Sequence, residues 1–401
     1  MTQKPTSDAE APPIKVVVVT LDNHLASAAD RALERLQNSY PGLELAFHAA
    51  ADFAASEDRL AKCHADIAEG DIIVANMMFL EDHIKAVLPA LSARAPHCDA
   101  IVGAMSGPEI VRLTRLGDLD MGAPQGGLMK ALKKLRGGAG KDPAKAGGKS
   151  QMGLLRALPK VLRFLPGKAQ NLRSYFLTMQ YWLAGSEENF ANMIGHLIDR
   201  YAAGERAVYR GRASVAAPIE YPEEGLYHPD CESRITERVA ALPAGRKAGA
   251  GTVGVLIMRS YVLAGDVGHY DGVIRALEAQ GLDVIPAFAS GLDARPAIEK
   301  YFMADGRPCV DAVVSLTGFS LVGGPAYNDA GSAETMLKQL DVPYIAAHPL
   351  EFQSLEDWRG SAGGLTPVEA SMMVTIPELD GATNPIIYGG RCASGAQCTG
   401  C

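Results

Sequence analysis

The feature that most limits how this chain can fold is a series of short, apolar, β-branched runs separated by stretches with helical spacing. The first, Ile14–Leu21, reads IKVVVVTL, and Leu43–Ala50, Asp71–Phe79 and Asp99–Gly107 follow it. Thr252–Met258, Leu282–Ala289, Val310–Gly318 and Val342–Pro349 repeat the pattern. A continuous apolar run, unlike an alternating one, fits a strand buried on both faces, as in a parallel sheet covered by helices on both sides. Helical spacing fills the gaps. Leu25, Ala29, Leu33 and Leu36 share one face before Pro41-Gly42 ends that helix. The expected fold class is therefore α/β, with two parallel-sheet, Rossmann-like lobes joined by a helical segment.

Six segments are expected along the chain: a disordered leader over 1–13, an α/β domain over 14–121, and a basic Gly/Lys-rich linker over 122–150. A helical and irregular connection over 151–250 follows, then a second α/β domain over 251–391 and a Cys-rich end over 392–401. Within the connection three helical patterns run to Gly204. Ser186 with Glu188 and Asn189 marks one helix start, because serine caps free amides and carboxylates favour the positive end of the helix dipole. Residues 208–250 read as irregular. Two α/β lobes bridged by helices would leave a cleft, a common place for ligands.

Composition narrows the classes. At 401 residues, 48% apolar and 21% charged, the chain is long enough for two or three domains with their own cores. A net charge of −8 argues against general nucleic-acid affinity. No run of 18 apolar residues exists and the polar amino terminus has no signal core, so a cytoplasmic protein without a transmembrane segment is expected. A reducing compartment would keep Cys63, Cys98, Cys231 and Cys309 as thiols.

The nucleotide motifs fail. PAKAGGKS (Pro143–Ser150) has proline where a P-loop needs its first glycine, and proline lacks the amide that would cradle a phosphate. The first βα turn, TLDNHL, holds no glycine, so the dinucleotide fingerprint is absent. Between Leu128 and Arg173, twelve Lys or Arg face a single acid, Asp142. Interleaved leucines would make parts of this stretch a basic amphipathic surface for a membrane or an acidic partner, with Lys130, Lys133, Lys134 and Arg136 as partner contacts; the plainer reading is a solvated linker.

GFSLVGGPAYNDAG follows a strand of the second lobe, at the end where α/β sites gather. It brings Phe319, Tyr327 and Asp329 forward as substrate contacts. Acids and imidazoles available for proton transfer or oxygen ligation are Asp266, His269, Asp271, His348, Glu351, Glu378 and Asp380. The histidines lack ligand spacing, and a lone histidine is more often structural. Cys392, Cys398 and Cys401 are spaced C-x5-C-x2-C. That suits zinc or an iron–sulfur cluster if a fourth ligand comes from elsewhere; otherwise it is an unstructured end with free thiols.

Four strings are long and unusual: RSYVLAGDVGHYDGVIRALEAQGLDVIPAFASGLD (Arg259–Asp293), SLTGFSLVGGPAYNDAG (Ser315–Gly331), PYIAAHPLEFQSLEDW (Pro343–Trp358) and IPELDGATNPI (Ile376–Ile386). With them the chain resembles the large, porphyrin-binding H subunits of magnesium chelatase and, less closely, the large subunit of cobaltochelatase. Members of that family run well beyond 401 residues, so the chain looks like an amino-terminal portion. The resemblance implies insertion of Mg²⁺ into protoporphyrin IX in (bacterio)chlorophyll synthesis, with ATP hydrolysed by separate AAA+ subunits. It also brings in a methyltransferase that hands over or accepts the porphyrin. Residue type and position put the expected substrate contacts at His269, Phe319, Tyr327, Asp329, His348, Glu378 and Asp380, and no motif match fixes a catalytic base. Two rivals stand beside the resemblance: a two-lobed small-molecule binding protein and a scaffold acting through its basic segment.

Overall fold

Val16 to Val19 have no solvent exposure, so the strand Ile14–Thr20 (β1) has both faces covered, as its unbroken apolar run requires. The computed structural model describes residues 11–21, 23–53, 56–123, 158–243, 251–324, 327–382, 385–392 and 397–399. The chain divides into two compact units, Met1–Leu21 with Ala28–Ile219, and Asp22–Ser27 with Glu220–Cys401.

In the first unit β1 pairs in parallel with Leu43–Ala49 (β2) on one side and Ile72–Asn76 (β3) on the other. Ala100–Ala104 (β4) extends the sheet in parallel. A short antiparallel pair, Arg115–Leu116 (β5) and Leu119–Asp120 (β6), closes that edge. The order β2-β1-β3-β4-β5-β6 is that of a doubly wound sheet whose direction of winding reverses beside β1. Val17, Val19, Ile73 and Ile101 on the sheet meet Ile67, Val87 and Leu91 from the helices Glu57–Glu69 and Glu81–Arg94. Ser56 caps the first of these helices by accepting the Arg59 N–H.

The helices Lys168–Leu183 and Glu187–Tyr201 belong to this unit, and the Ser186 hydroxyl accepts the Asn189 N–H as its sequence context predicts. Just beyond, Arg206 donates two hydrogen bonds to Asp99, at 3.0 and 3.1 Å, and lies 3.3 Å from Asp71. Buried Tyr209 donates to the Pro12 carbonyl at 2.6 Å and accepts the Gly42 N–H at 3.1 Å. The Gly204–Tyr209 turn thus ties down the amino-terminal ends of the strands.

The second unit holds eight strands in one sheet. Thr252–Met258 (β9) lies in its middle, parallel to Asp283–Ala289 (β10) on one side and Ala312–Ser315 (β13) on the other. Tyr344–Leu350 (β16) and Ile386–Arg391 (β17) continue the parallel array, with a register irregularity between His348 and Pro349. The edges are antiparallel: Gln397–Thr399 (β18) beyond β17, and Glu224–Tyr227 (β7) with Ile235–Thr236 (β8) beyond β10. Hairpins Met303–Ala304 (β11) with Arg307–Pro308 (β12), and Gly323–Gly324 (β14) with Tyr327–Asn328 (β15), lie outside the main sheet. Residues 208–250, which read as irregular in sequence, supply β7 and β8. Among the described residues no helix is long and apolar enough to cross a membrane.

Gly103 shows how tightly the first sheet is packed. A Cβ there would stand 2.3 Å from the Ile110 carbonyl oxygen, while its own N–H and C=O both bond the Thr114 hydroxyl. Gly103→Ala is expected to destabilise the first unit by about 2 kcal/mol. Urea unfolding followed by buried Trp182, with Trp358 replaced by phenylalanine, measures this; an unchanged midpoint would refute the packing described.

Candidate functional site

In the second unit the chain leaves β9 to form β10 on one side, then returns to form β13 on the other. The strand order therefore reverses beside β9, and the carboxyl ends of β9, β10 and β13 frame a crevice there. Met258, Ala289, Leu292, Phe319 and Leu321 make it mainly apolar, and Asp293, Ser315, Thr317 and Ser320 add polar groups. Two loops form its rim and are tied together: Ala294 donates to the Leu321 carbonyl and Gly323 to the Leu292 carbonyl, at 3.0 and 2.6 Å. The Ser315 and Thr317 hydroxyls lie 3.1 Å apart, and Ser320 donates to the Asn328 amide oxygen at 2.8 Å. Gly318 turns the loop at φ +70°, where a Cβ would lie 2.4 Å from the Met373 methyl. The interior holds only about 20 Å³, room for one water. A drug-sized or larger ligand needs roughly 300 Å³ or more, so the crevice of this unit does not enclose a tetrapyrrole.

Behind it lies a buried aromatic cluster. His269, at the start of the helix Gly268–Ala279, has no exposed surface. Its ring centroid is 3.8 Å from that of Tyr270, 5.3 Å from Tyr261 and 5.9 Å from Tyr388, and neither ring nitrogen has a hydrogen-bond partner. Burial pushes its pKa down to about 3, so the ring is neutral. Tyr270 accepts the Met258 N–H at 3.2 Å, and Tyr388 donates to the Leu316 carbonyl at 3.1 Å. The Tyr261 hydroxyl donates to Glu351.

Glu369 organises the turn that carries Glu351. Its carboxylate is fully buried and accepts the N–H of Glu351 at 2.6 Å and of Phe352 at 3.0 Å. Burial pushes its pKa up to about 7, against the pull of those amides and of buried Arg391. Asp380 works similarly on the crevice loop. It accepts the Leu321 N–H at 2.7 Å, and burial raises its pKa.

The residues expected from sequence fall into distinct places. Phe319 lines the crevice, and Asp380 holds the loop beside it. His269 and His348 are both buried, and burial pushes His348 down to about 4. Asp329 caps the helix Ala330–Leu340, accepting the Ser332 N–H and hydroxyl at 2.9 and 2.8 Å. Asp271 accepts from Tyr227 at 2.6 Å, joining β7 to a helix, and Glu378 sits exposed on a short helix. Tyr327 lies in β15, and its side chain is outside the described residues, as are Lys130, Lys133, Lys134, Arg136 and Cys401. Cys392 is disulfide-bonded, which removes its sulfur from thiolate ligation while that bond stands; the Cys398 side chain is not described. Among the described residues no cluster of three or more His, Cys, Asp or Glu is arranged to hold a metal. Tyr261, Tyr388 and Glu369 escape a reading of the sequence, since neither burial nor the mutual approach of distant strands is visible in a linear string.

Residues 179–399 match the family described as CobN/Magnesium Chelatase, and residues 15–176 match a domain of unknown function, DUF3479. The first match takes in more than half of the chain, which belongs to the CobN/magnesium chelatase family. The chain is 54% identical over 394 residues to the magnesium-chelatase H subunit of Cereibacter sphaeroides, covering 98% of this chain and 32% of that protein. It is 34% identical over 410 residues to the chloroplastic magnesium-chelatase ChlH subunit of Oryza sativa subsp. japonica, covering 96% and 29%. The solved catalytic subunit of cobaltochelatase from Mycobacterium tuberculosis covers 96% of this chain and 26% of its own, with a TM-score of 0.48 and 15% identity. The resemblance carried by the four motifs is confirmed. The chain spans about a third of the length of these curated relatives.

The buried groups give opposed pH dependences. Glu369 has its pKa raised by folding, from 4.5 to about 7, so the folded unit binds more protons than the unfolded chain in that window. Its contribution to stability is full below about pH 4.5 and is lost as pH rises toward 7. His269 and His348 have pKa values lowered by folding, so theirs is full above about pH 6.5 and is lost as pH falls. Comparing the parent with Glu369→Gln isolates the first effect. Unfolding of the second unit, followed by Trp358 fluorescence, should show the parent losing on the order of 3 kcal/mol relative to the variant as pH rises from about 4.5 to 7. A pH-independent difference would sink this assignment.

Proposed function

We propose that this chain is part of the porphyrin-binding H subunit of a magnesium chelatase, the ligase that inserts Mg²⁺ into protoporphyrin IX in (bacterio)chlorophyll synthesis. The observation that carries the proposal is 54% identity along 98% of the chain to a protein named as the H subunit of magnesium chelatase. AAA+ partner subunits hydrolyse ATP, and the work is done in the cytoplasm of a photosynthetic cell. A methyltransferase that delivers or removes the porphyrin completes the set of partners.

In this reading the second unit contributes one wall of the substrate site rather than the whole of it. Partly buried Phe319 offers an apolar face at the crevice mouth, and Tyr327 of β15 is assigned to the edge of the macrocycle. His269, His348, Asp329 and Asp380 hold that wall from behind as positioning groups, while Glu378 faces solvent. His269 is not the base that removes pyrrole protons, because a fully buried imidazole inside a ring cluster reaches no ligand. Mg²⁺, the second substrate, gives up its water reluctantly. Its delivery, the proton acceptor and most of the pocket are assigned to sequence outside this chain, consistent with a crevice of about 20 Å³.

A chimera tests the proposal. These 401 residues replace the matching segment of the Cereibacter sphaeroides protein, and deuteroporphyrin fluorescence and magnesium insertion are measured with that organism's partner subunits. Both are expected to be kept. Phe319→Asp in the chimera should weaken porphyrin binding about tenfold, the cost of a charge set against an apolar face. A folded chimera that neither binds porphyrin nor inserts magnesium overturns the proposal.

A further inference from the structure

A second surface lies in the first unit, far in sequence from the four chelatase-like motifs. Three of the most exposed large apolar side chains among the described residues fall within five positions: Val161 at 62%, Phe164 at 82% and Leu165 at 47%. They project from a helical turn beginning at residue 158. The turn is built rather than frayed. The Gln170 side-chain amide donates to the carbonyls of Leu162, Arg163 and Leu165 at 2.9, 3.3 and 2.5 Å, and Arg173 donates to the Pro159 carbonyl at 3.2 Å. Leu162 and Ala169 anchor it in the core at 7% and 6% exposure. A phenylalanine left in water forfeits roughly 1.5–3 kcal/mol that burial would return, and nothing in the turn needs it there.

Charge identifies the occupant. Exposed Lys160, Arg163 and Lys168 flank the apolar tip, and no acid pairs with any of them among the described residues. The chain as a whole is acidic, at −8, so this cationic tip differs in sign from the protein that carries it. Apolar residues that project, ringed by long cationic side chains, match a soft anionic interface. The apolar side chains enter the headgroup boundary while the lysines and arginine stay among the phosphates.

We propose that the turn formed by residues 158–168 is a peripheral docking element for an anionic lipid surface, with Phe164 and Leu165 inserting and Lys160, Arg163 and Lys168 reading the charge. The proposal is independent of the chelatase reading, because it rests on the first unit alone.

Flotation of the purified 401-residue chain tests it, with phosphatidylcholine vesicles and with vesicles holding about 30% phosphatidylglycerol. The chain should float with the anionic vesicles only, and the interaction should weaken sharply between about 0.05 and 0.5 M salt. Phe164→Asp combined with Leu165→Asp should lower the partition coefficient about tenfold or more. Reversing all three cations to glutamate should lower it about a hundredfold. These positions are exposed, and Trp182 fluorescence verifies that each variant remains folded. If the tip variant floats as well as the parent, the binding comes from elsewhere in the basic stretch and the proposal fails. If the parent ignores both vesicles at low salt the proposal also fails, leaving an acidic protein as the remaining occupant.

Discussion

Both sheets depend on one constraint: a central strand whose run of apolar side chains points to both faces must have neighbours on both edges and helices over both faces. β1 and β9 are these strands. Each is the first parallel strand of its sheet, and each has the next parallel strand on one side and the third on the other. Burying the first strand forces the winding to reverse beside it. In the second unit that reversal opens the crevice lined by Phe319, because the loops leaving β9 and β13 travel to opposite faces. The position of the crevice thus follows from where the most apolar strand has to lie.

Behind the crevice the protein accepts polar groups at full burial. Glu369 is tolerated because two backbone amides meet its carboxylate, and Arg391 stands nearby. His269 is tolerated because it is neutral and packed among three tyrosines, although its nitrogens go unmatched. Unmatched buried nitrogens cost free energy, so this cluster is a place where packing has prevailed over hydrogen bonding. Its rings come from β17 and two helices, and its hydroxyls bond Met258 at the end of β9 and Glu351 just after β16, so it joins the carboxyl ends of these strands.

The parallel strands were legible because an unbroken run of Val, Ile and Leu has few alternatives. Their ends were less so: Asp71–Phe79 and Val310–Gly318 shrink to Ile72–Asn76 and Ala312–Ser315, since apolar residues past a strand end still pack. The edge strands were hidden for another reason. Glu224–Tyr227 sits inside YPEEGLYHPD, four residues with no period, and its pairing partner β10 lies some sixty positions away. The site was read less well than the fold. Thr366 and Glu369 have the spacing of a local capping box, and Thr366 does accept the Glu369 N–H. The glutamate side chain instead reaches across to the turn after β16, a long-range choice that spacing cannot reveal. Asp329 shows the reverse: a residue put forward for chemistry proves to serve its own helix.

The tie made by Tyr209 bears on how this polypeptide is born. Its hydroxyl closes on Pro12 and on the amide of Gly42, partners 197 and 167 positions earlier. A ribosome releases the chain from its amino terminus at roughly 5–20 residues per second, and domains assemble as they emerge. β1 to β4 are complete once residue 104 is out, yet the clasp over their starting ends must wait until Tyr209 has left the exit tunnel. For several seconds of translation the first sheet therefore stands assembled but unlatched.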